Sequence, residues 1–329
     1  MIWLVTGGAG YIGAHVVRVL LESGRDVVVL DDLSSGHRRF VPEGVELVDG
    51  SVCDPRTVDR ALRAGGTPVT GVVHLAGFKY AGVSVERPLH TFEQNVAGSL
   101  VLLRGMAGAG VERLVFSSSA GVYGTPDVER VGEDTPTVPE SPYGRSKLVT
   151  EWMIRDVARA TALRHTCLRY FNVVGSGYPD VYDTSPHNLV PLVLLALTEG
   201  RTPQVRGTDY PTPDGSCVRD YVHVQDVALA HVAAARALEE GRALEPVYNL
   251  GSGTGLSVLE IMDAAVRNTG HDFVPERVGR RPGDPARIVA SGELAARDLD
   301  WRMRHTPDDM VLSAWKAWSA AVDRGESAT

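Results

Sequence analysis

Short apolar runs alternate with amphipathic stretches through the first half of the chain. Runs at 2–5, 26–30 (Asp-Val-Val-Val-Leu), 70–75 and 112–117 (Glu-Arg-Leu-Val-Phe-Ser) read as strands buried on both faces. Between them, 11–22 and 92–107 carry apolar residues at helical spacing, and Gly24 stops the first. Strand–helix alternation on this scale predicts an α/β fold built on a doubly wound parallel sheet. A further strand-like run, 163–171, ends in Arg169-Tyr170-Phe171-Asn172. From about 173 the pattern loosens. Pro and Gly cluster at 175–187 and 207–215, and helical spacing returns at 188–199, 224–240, 256–269 and 306–323. This second part reads as a smaller, loop-rich mixed α/β region lying over the sheet edge. No linker composition separates it from the first, so the two are expected to pack tightly.

Composition narrows the class without naming a function. At 329 residues, 43% hydrophobic and 22% charged, the chain can bury a substantial core. A net charge of −8 argues against nucleic-acid and anionic-membrane partners. The N-terminus enters Ile2-Trp3-Leu4-Val5-Thr6-Gly7 without a charged leader, and no apolar run is long enough to span a membrane. Cys53, Cys167 and Cys217 form no Cys-x-x-Cys, which speaks against a disulfide framework or zinc site and fits a cytoplasmic location. No His-Glu-x-x-His or His-x-His occurs, so no metal is expected; His223 and His231 read as structural, and Trp315 and Trp318 as core.

The opening strand runs into Gly7-Gly8-Ala9-Gly10-Tyr11-Ile12-Gly13 and then a helix. Gly7, Gly10 and Gly13 permit a tight turn and close approach of backbone to a pyrophosphate, which the helix N-terminus attracts. The second strand ends at Asp31, where a carboxylate would bond an adenosine ribose 2′-hydroxyl and repel a 2′-phosphate; that favours NAD over NADP. Asp32 reads as surface. The division expected is a Rossmann NAD-binding domain over 1–172, with returning segments near 219–250, and a substrate region over 173–329.

The chemistry is carried by Ser119 and by Tyr143-Gly-Arg-Ser-Lys147. Only three of the 33 basic residues are lysines: Lys79, Lys147 and Lys316. A lysine kept where arginine is otherwise used suggests a need for a compact ammonium. Lys147 follows Tyr143 by four residues, hence on one helix face. Ser141 is a suitable N-cap and Pro142 a suitable first helical residue. Ser119 follows a buried strand, at the sheet's carboxyl edge. A phenol titrates near 10, so a phenolate at neutrality needs about 3 units, or roughly 4 kcal/mol. One positive charge at ~4 Å contributes about 4 kcal/mol at an effective dielectric of ~20. Lys147 and an oxidised nicotinamide ring are the expected sources.

These residues resemble the extended short-chain dehydrogenase/reductase family, and within it the UDP-glucose/UDP-galactose 4-epimerases. The similarity runs nearly end to end through Thr6–Gly13, His74-Leu-Ala-Gly-Phe-Lys79, Phe116-Ser-Ser-Ser119, Ser141–Lys147, Leu168-Arg-Tyr-Phe-Asn172 and Asn188-Leu-Val-Pro191. More specific are Gly207-Thr-Asp-Tyr-Pro-Thr-Pro-Asp-Gly215, Val218-Arg-Asp-Tyr-Val-His223 and Tyr248-Asn-Leu-Gly251. The resemblance implies Tyr143 as base, Lys147 as its modulator and NAD ligand, and Ser119 as partner of the sugar 4-oxygen. It implies NAD contacts from Tyr11, Ile12, Ser51, Val52, Leu75, Ala76, Gly77, Lys79, Asn95 and Tyr170. It implies UDP-hexose contacts from Asn172, Asn188, Leu189, Arg206, Arg219, Arg281 and Asp284, and a homodimer through helices near 92–107 and 144–160. An arginine fork suits a diphosphate.

Five places depart from the family pattern: Ser51-Val52, Gly121, Val173, Arg206 near the uracil, and Ile288 at the substrate gate, where an aliphatic residue would admit N-acetylated sugars. The activity expected is 4-epimerisation of a UDP-hexose through a 4-keto sugar. UDP-glucuronate and UDP-N-acetylhexosamine are alternative substrates. A 4,6-dehydratase needs an acid/base pair after the serine, where Ala120-Gly121 stand. Intact Ser119, Tyr143 and Lys147 count against a silent NAD- or UDP-sugar-binding protein.

Overall fold

The structure, a computed structural model, describes residues 1–281 and 285–326. Seven strands pair in parallel: β1 (Ile2–Thr6), β2 (Asp26–Asp31), β3 (Glu46–Asp49), β4 (Gly71–His74), β5 (Arg113–Ser119), β6 (Arg164–Tyr170) and β7 (Val247–Leu250). Their spatial order is 3-2-1-4-5-6-7. Alternation along β1 shows why both faces must be covered. Trp3 and Val5 enter a core with the helices Tyr11–Glu22 and Val224–Glu239. Ile2 and Leu4 enter another with Pro55–Leu62, Gly98–Ala109 and Pro142–Ala160. Gly71 opens β4 because the Trp3 ring crosses it: a Cβ there would lie 2.7 Å from that ring.

Several boundaries differ from the sequence pattern. β3 and the Pro55–Leu62 helix carry too few apolar residues in isolation to stand out, and β7, though mostly apolar, is only four residues long. The run at 92–107 is not one helix. Pro88–Phe92 leads into a widened π-type turn, Glu93–Ala97, before Gly98–Ala109. That turn carries Asn95, whose side chain is tied to a neighbouring loop. At 256–269 a two-residue strand, Leu256–Ser257, precedes the helix Val258–Thr269, where Ser257 and Glu260 form a reciprocal cap.

The region after Asn172 has its own core, formed by Leu189–Thr198, Val258–Thr269 and Pro307–Asp323. Tyr11 and Ala14 of the opening helix are buried in it, and the Tyr11 hydroxyl donates to Gly175 O at 2.5 Å. Apart from β7, which joins the large sheet, its strands are two or three residues long. Asn172–Val174 pairs with Tyr221–His223, and Val218–Arg219 with Leu256–Ser257 and Arg287–Ile288. Gln204–Arg206 pairs with Glu276–Val278. The fully buried Asp220 pegs these segments, accepting from the backbone of Ser252 at 2.6 Å, Ala290 at 3.0 Å and Gly253 at 3.2 Å.

Candidate active site

Strand order reverses between β1 and β4, which opens a crevice at the sheet's carboxyl edge. Gly7 has φ +72°, and a Cβ on it would lie 2.7 Å from Ala76 N. A Cβ on Gly13 would sit 2.0 Å from Gly7 O. At Gly10 a Cβ would meet Gly7 O alone, at 3.3 Å, so the face above this helix start is open to a phosphate. Asp31 is nearly buried. Its carboxylate accepts from Ala9 N and Leu33 N, each at 2.9 Å, and so stands beside the glycine turn. Burial pushes its pKa up, while both N–H groups and the charge of Lys79 oppose that. Asp32 is exposed and bonds Ser34, as expected of a surface residue. Ile12 is partly buried between the two cores.

The loop after β4 forms the opposite wall. Leu75 N donates to Thr6 O at 3.0 Å, and Ala76 N to Thr6 Oγ1 at 3.2 Å. Asn95 clamps the next residues: its Oδ1 accepts from Phe78 N at 2.7 Å, and its Nδ2 donates to Phe78 O at 3.0 Å and Ser146 Oγ at 2.8 Å. A Cβ on Gly77 would strike Asn95 Oδ1 at 2.6 Å. Lys79 is exposed, and its charge acts on Asp31 and Asp183. Beyond β3, Ser51 Oγ accepts from Cys53 N at 3.1 Å. The buried Val52 fills the space Gly98 leaves, where a Cβ would lie 2.9 Å from it.

The Pro142–Ala160 helix begins as its sequence dictates. Ser141 Oγ accepts from Gly144 N at 3.1 Å, and Pro142 holds the first turn. Gly144 lets this start press on the turn Ala120–Val122; a Cβ there would be 2.3 Å from Gly121 O. Ser119 Oγ and the Tyr143 ring both flank Gly121, and the Ser119 hydroxyl lies near enough to the phenol to act on its pKa. Ser119 Oγ also accepts from Gly121 N at 3.1 Å. A Cβ on Gly121 would make ordinary contact with Ser119 Oγ at 3.4 Å and the Tyr143 ring at 3.7 Å, so glycine there leaves space rather than relieving strain.

Lys147 is buried, with Nζ donating to Ser117 O at 3.0 Å. Burial lowers its pKa to about 8, and Glu151 acts in the opposite direction. Burial pushes the Tyr143 phenol up, and the neighbouring Ser119 hydroxyl acts in the opposite direction. The Lys147 ammonium lies 5.9 Å from the Tyr143 ring centre, turned toward the strand carbonyl. Tyr170 is partly buried beside this pair, and desolvation pushes its phenol up as well.

The residues expected to hold substrate are more scattered. Asn172 is exposed, with its N–H on Asp220 O at 2.9 Å. Asn188 begins the Leu189–Thr198 helix and donates to Asp183 Oδ2 at 2.8 Å; Leu189 packs partly on the second core. Arg219 is buried, donates to Val218 O at 2.9 Å, and is in register with Ile288. Arg206 is exposed and in register with Val278, on the chain that leads to Arg281. Arg281 is exposed, its guanidinium 2.8 Å from where a Cβ on Gly82 would stand. Asp284 lies outside the described residues. Val173 is partly buried between both cores, and Ile288 against Ala120, Val122 and Phe171.

Sequence reasoning passed over a buried chain beneath the cofactor wall. Thr6 Oγ1 bonds His74 Nδ1 at 2.7 Å, and His74 Nε2 bonds Ser99 Oγ at 2.9 Å. It also passed over Ser118, Glu151 and Arg169; the signal available was the four-residue spacing from Lys147 to Glu151. Among the described residues, no group of three His, Cys, Asp or Glu could hold a metal, and no helix is long and apolar enough to cross a membrane.

The NAD dependent epimerase/dehydratase family matches residues 3–251 of the chain. The chain is 43% identical over 329 residues to a UDP-glucose 4-epimerase of Corynebacterium glutamicum, spanning 99% of this chain and 98% of that protein. A solved UDP-glucose 4-epimerase from Stenotrophomonas maltophila, with bound NAD and formylated UDP-arabinopyranose, superposes with a TM-score of 0.92 at 39% identity, covering 99% of both chains. One from Bifidobacterium longum, in complex with NAD+ and UDP, gives 0.88 at 37% identity, covering 97% of this chain and 98% of that one.

Proposed function

The chain belongs to the NAD dependent epimerase/dehydratase family, and we propose that it interconverts UDP-hexoses at C4, UDP-glucose with UDP-galactose, using Tyr143 as base. The observation that carries the reading is the meeting of Ser119, Tyr143 and a buried Lys147 at the mouth of the β1/β4 crevice. The crevice fits NAD. The open face at Gly10 suits the pyrophosphate, Asp31 beside it suits the adenosine ribose, and Lys147 retains donors for the nicotinamide ribose. Lys79 and the loop clamped by Asn95 form the wall against the cofactor. On this reading 1–172, with the segments near 219–250, holds NAD, and 173–329 holds the UDP-sugar.

Tyr143 takes the proton of the 4-hydroxyl while Ser119 holds that oxygen in line. NAD, when bound, accepts hydride from C4 and returns it, so it is not consumed over a cycle. Arg219 and Arg281, with Asn172, Asn188, Leu189, Arg206 and Asp284, hold the UDP. The 4-keto sugar turns about that anchor and presents its other face. Tyr143 then returns the proton to the 4-oxygen, and inversion at C4 results. Burial alone raises the Tyr143 phenol. The base form therefore needs positive charge beside it, which an oxidised nicotinamide and an ammonium freed from Ser117 O both supply.

The test is conversion of UDP-galactose to UDP-glucose by the purified, NAD-loaded protein with no added cofactor. No conversion ends the proposal. UDP-N-acetylgalactosamine and UDP-glucuronate belong in the same assay. Ile288, aliphatic and in register with Arg219, favours turnover of the N-acetylated sugar as well. A homodimer is supported by Val85, Leu89, Leu100 and Trp152, exposed on Ala81–Glu86, Pro88–Phe92, Gly98–Ala109 and Pro142–Ala160. Light scattering should give twice the 35.3 kDa chain mass. Cysteines 53, 167 and 217, all free, accord with a cytoplasmic protein.

A further inference from the structure

Three consecutive serines close β5, and each meets a different residue of one helix. Ser119 stands beside Tyr143, Ser117 O receives Lys147 Nζ at 3.0 Å, and the Ser118 hydroxyl donates to Glu151 Oε1. Tyr143, Lys147 and Glu151 are four apart, so they form one stripe along Pro142–Ala160. Glu151 is buried, and Arg169 of β6 grips it from behind, Nε to Oε1 at 2.9 Å and a terminal nitrogen to Oε2 at 2.5 Å. Arg169 also donates to the Tyr123 hydroxyl at 2.8 Å, which donates to Asn249 Oδ1 at 2.8 Å. A buried ion pair gives little net stability over apolar residues of the same volume, so stability does not explain this one.

We infer that Glu151 is a positioning residue: held by Ser118 and Arg169, it fixes the depth at which the helix presents Tyr143 and Lys147 to β5, and it is the anion that faces the Lys147 ammonium. The inference rests on the reading of Tyr143 and Lys147 as the reacting pair. The titratable groups around Lys147 are Tyr143 and Glu151 on its own helix and His74 on β4. His231 of Val224–Glu239 reaches Ser117 Oγ at 2.9 Å, and Tyr170 of β6 lies near Tyr143. Burial lowers His74 to about 3 and His231 to about 4, so both are neutral at pH 7, and it raises both phenols. Among the described residues, the one negative charge acting on Lys147 is Glu151, itself shared with Arg169.

The two partners should therefore shift the reaction in opposite directions. Glu151→Gln removes the anion and leaves the Arg169 cation, so Lys147 loses its proton more readily. The alkaline limb of kcat should move down by about 1–2 pH units. Arg169→Gln leaves Lys147 as the remaining cation for Glu151, and the limb should move up. Ser118→Ala keeps the ion pair but loosens the helix, and should lower kcat several-fold at unchanged KM. All are measured as NAD-loaded protein with UDP-galactose, wild type first. An inactive wild type overturns the catalytic reading itself. With an active wild type, an unmoved limb in either charge variant that folds overturns the role of Glu151. Should neither fold, wild-type kcat in Ser118→Ala overturns it.

Discussion

The seven-stranded sheet and the region after Asn172 are held together by different means. In the sheet, neighbouring strands share one parallel ladder, and side chains alternate between two cores that helices seal. Position is set by backbone pairing, and Gly7 and Gly13 at its carboxyl edge have no room to change. After Asn172, apart from β7, the strands are two or three residues long and lie in separate small sheets. Position there is set by side-chain pegs: the buried Asp220 on three backbone N–H groups, the buried Ser176 on Tyr178 and Val181, and the exposed Asp214 on Ser216 and Ser257. On the proposed function, the ladder would hold the proton-transfer site in place, and the pegged loops would hold the diphosphate while leaving room for a sugar to turn.

The sharpest division between the two regions is chemical. Tyr143→Phe should lower kcat about 10³-fold with NAD content and melting temperature unchanged, because it removes the base and no packing. A comparable loss from any single substitution in the UDP-holding set would break the comparison. Next is Gly13→Ala, whose Cβ would lie 2.0 Å from Gly7 O. It should cost about 3 kcal/mol or more and abolish NAD retention, read by thermal unfolding and by absorbance of the released nucleotide.

Acid should act on the sheet through His74, which burial lowers from 6.5 to about 3. A depressed pKa gives stability that is complete above 6.5 and falls as pH drops toward 3, because the unfolded chain takes the proton first. His74 alone should contribute a loss of about 2 kcal/mol at pH 5, at about 1.4 kcal/mol per unit. His74→Gln should flatten the stability slope between pH 6.5 and 5 by close to one proton.

Asp220→Asn should cost about 1–3 kcal/mol, since three buried N–H groups lose a charged acceptor. Its kinetic mark should be a raised KM with kcat nearly kept, the reverse of Tyr143→Phe. Smallest is Gly279→Ala: a Cβ there meets nothing within 4 Å, so stability should stay within about 0.5 kcal/mol. A large effect would mean this loop is as constrained as the glycine turn.

Much of the cofactor side was legible in the chain. Continuous apolar strands, a glycine turn and a capped helix start are local codes, and Ser141, Pro142, Gly7 and Gly13 do what those codes require. The Asn95 turn was not legible, because its widened geometry serves a loop 17 residues away in sequence. Nor was the true surrounding of Tyr143. Spacing put Lys147 on the same helix face, but the Ser117 carbonyl draws the ammonium aside, and only β5 supplies that carbonyl.

The sequence by itself determined the alternation of strands and helices, the glycine turn with its acidic partner, and the Ser119, Tyr143 and Lys147 set. Each depends on residues close together in the chain or on a period of two or four. The tertiary structure alone decided that β7 returns beside β6 from a distant segment, that Asp220 pins two separate segments, at 252–253 and 290, and that Ser118 and Arg169 enclose Glu151 beneath the reacting pair. Those contacts join residues far apart in the chain, and their energy comes from burial and hydrogen-bond satisfaction, which no local pattern encodes.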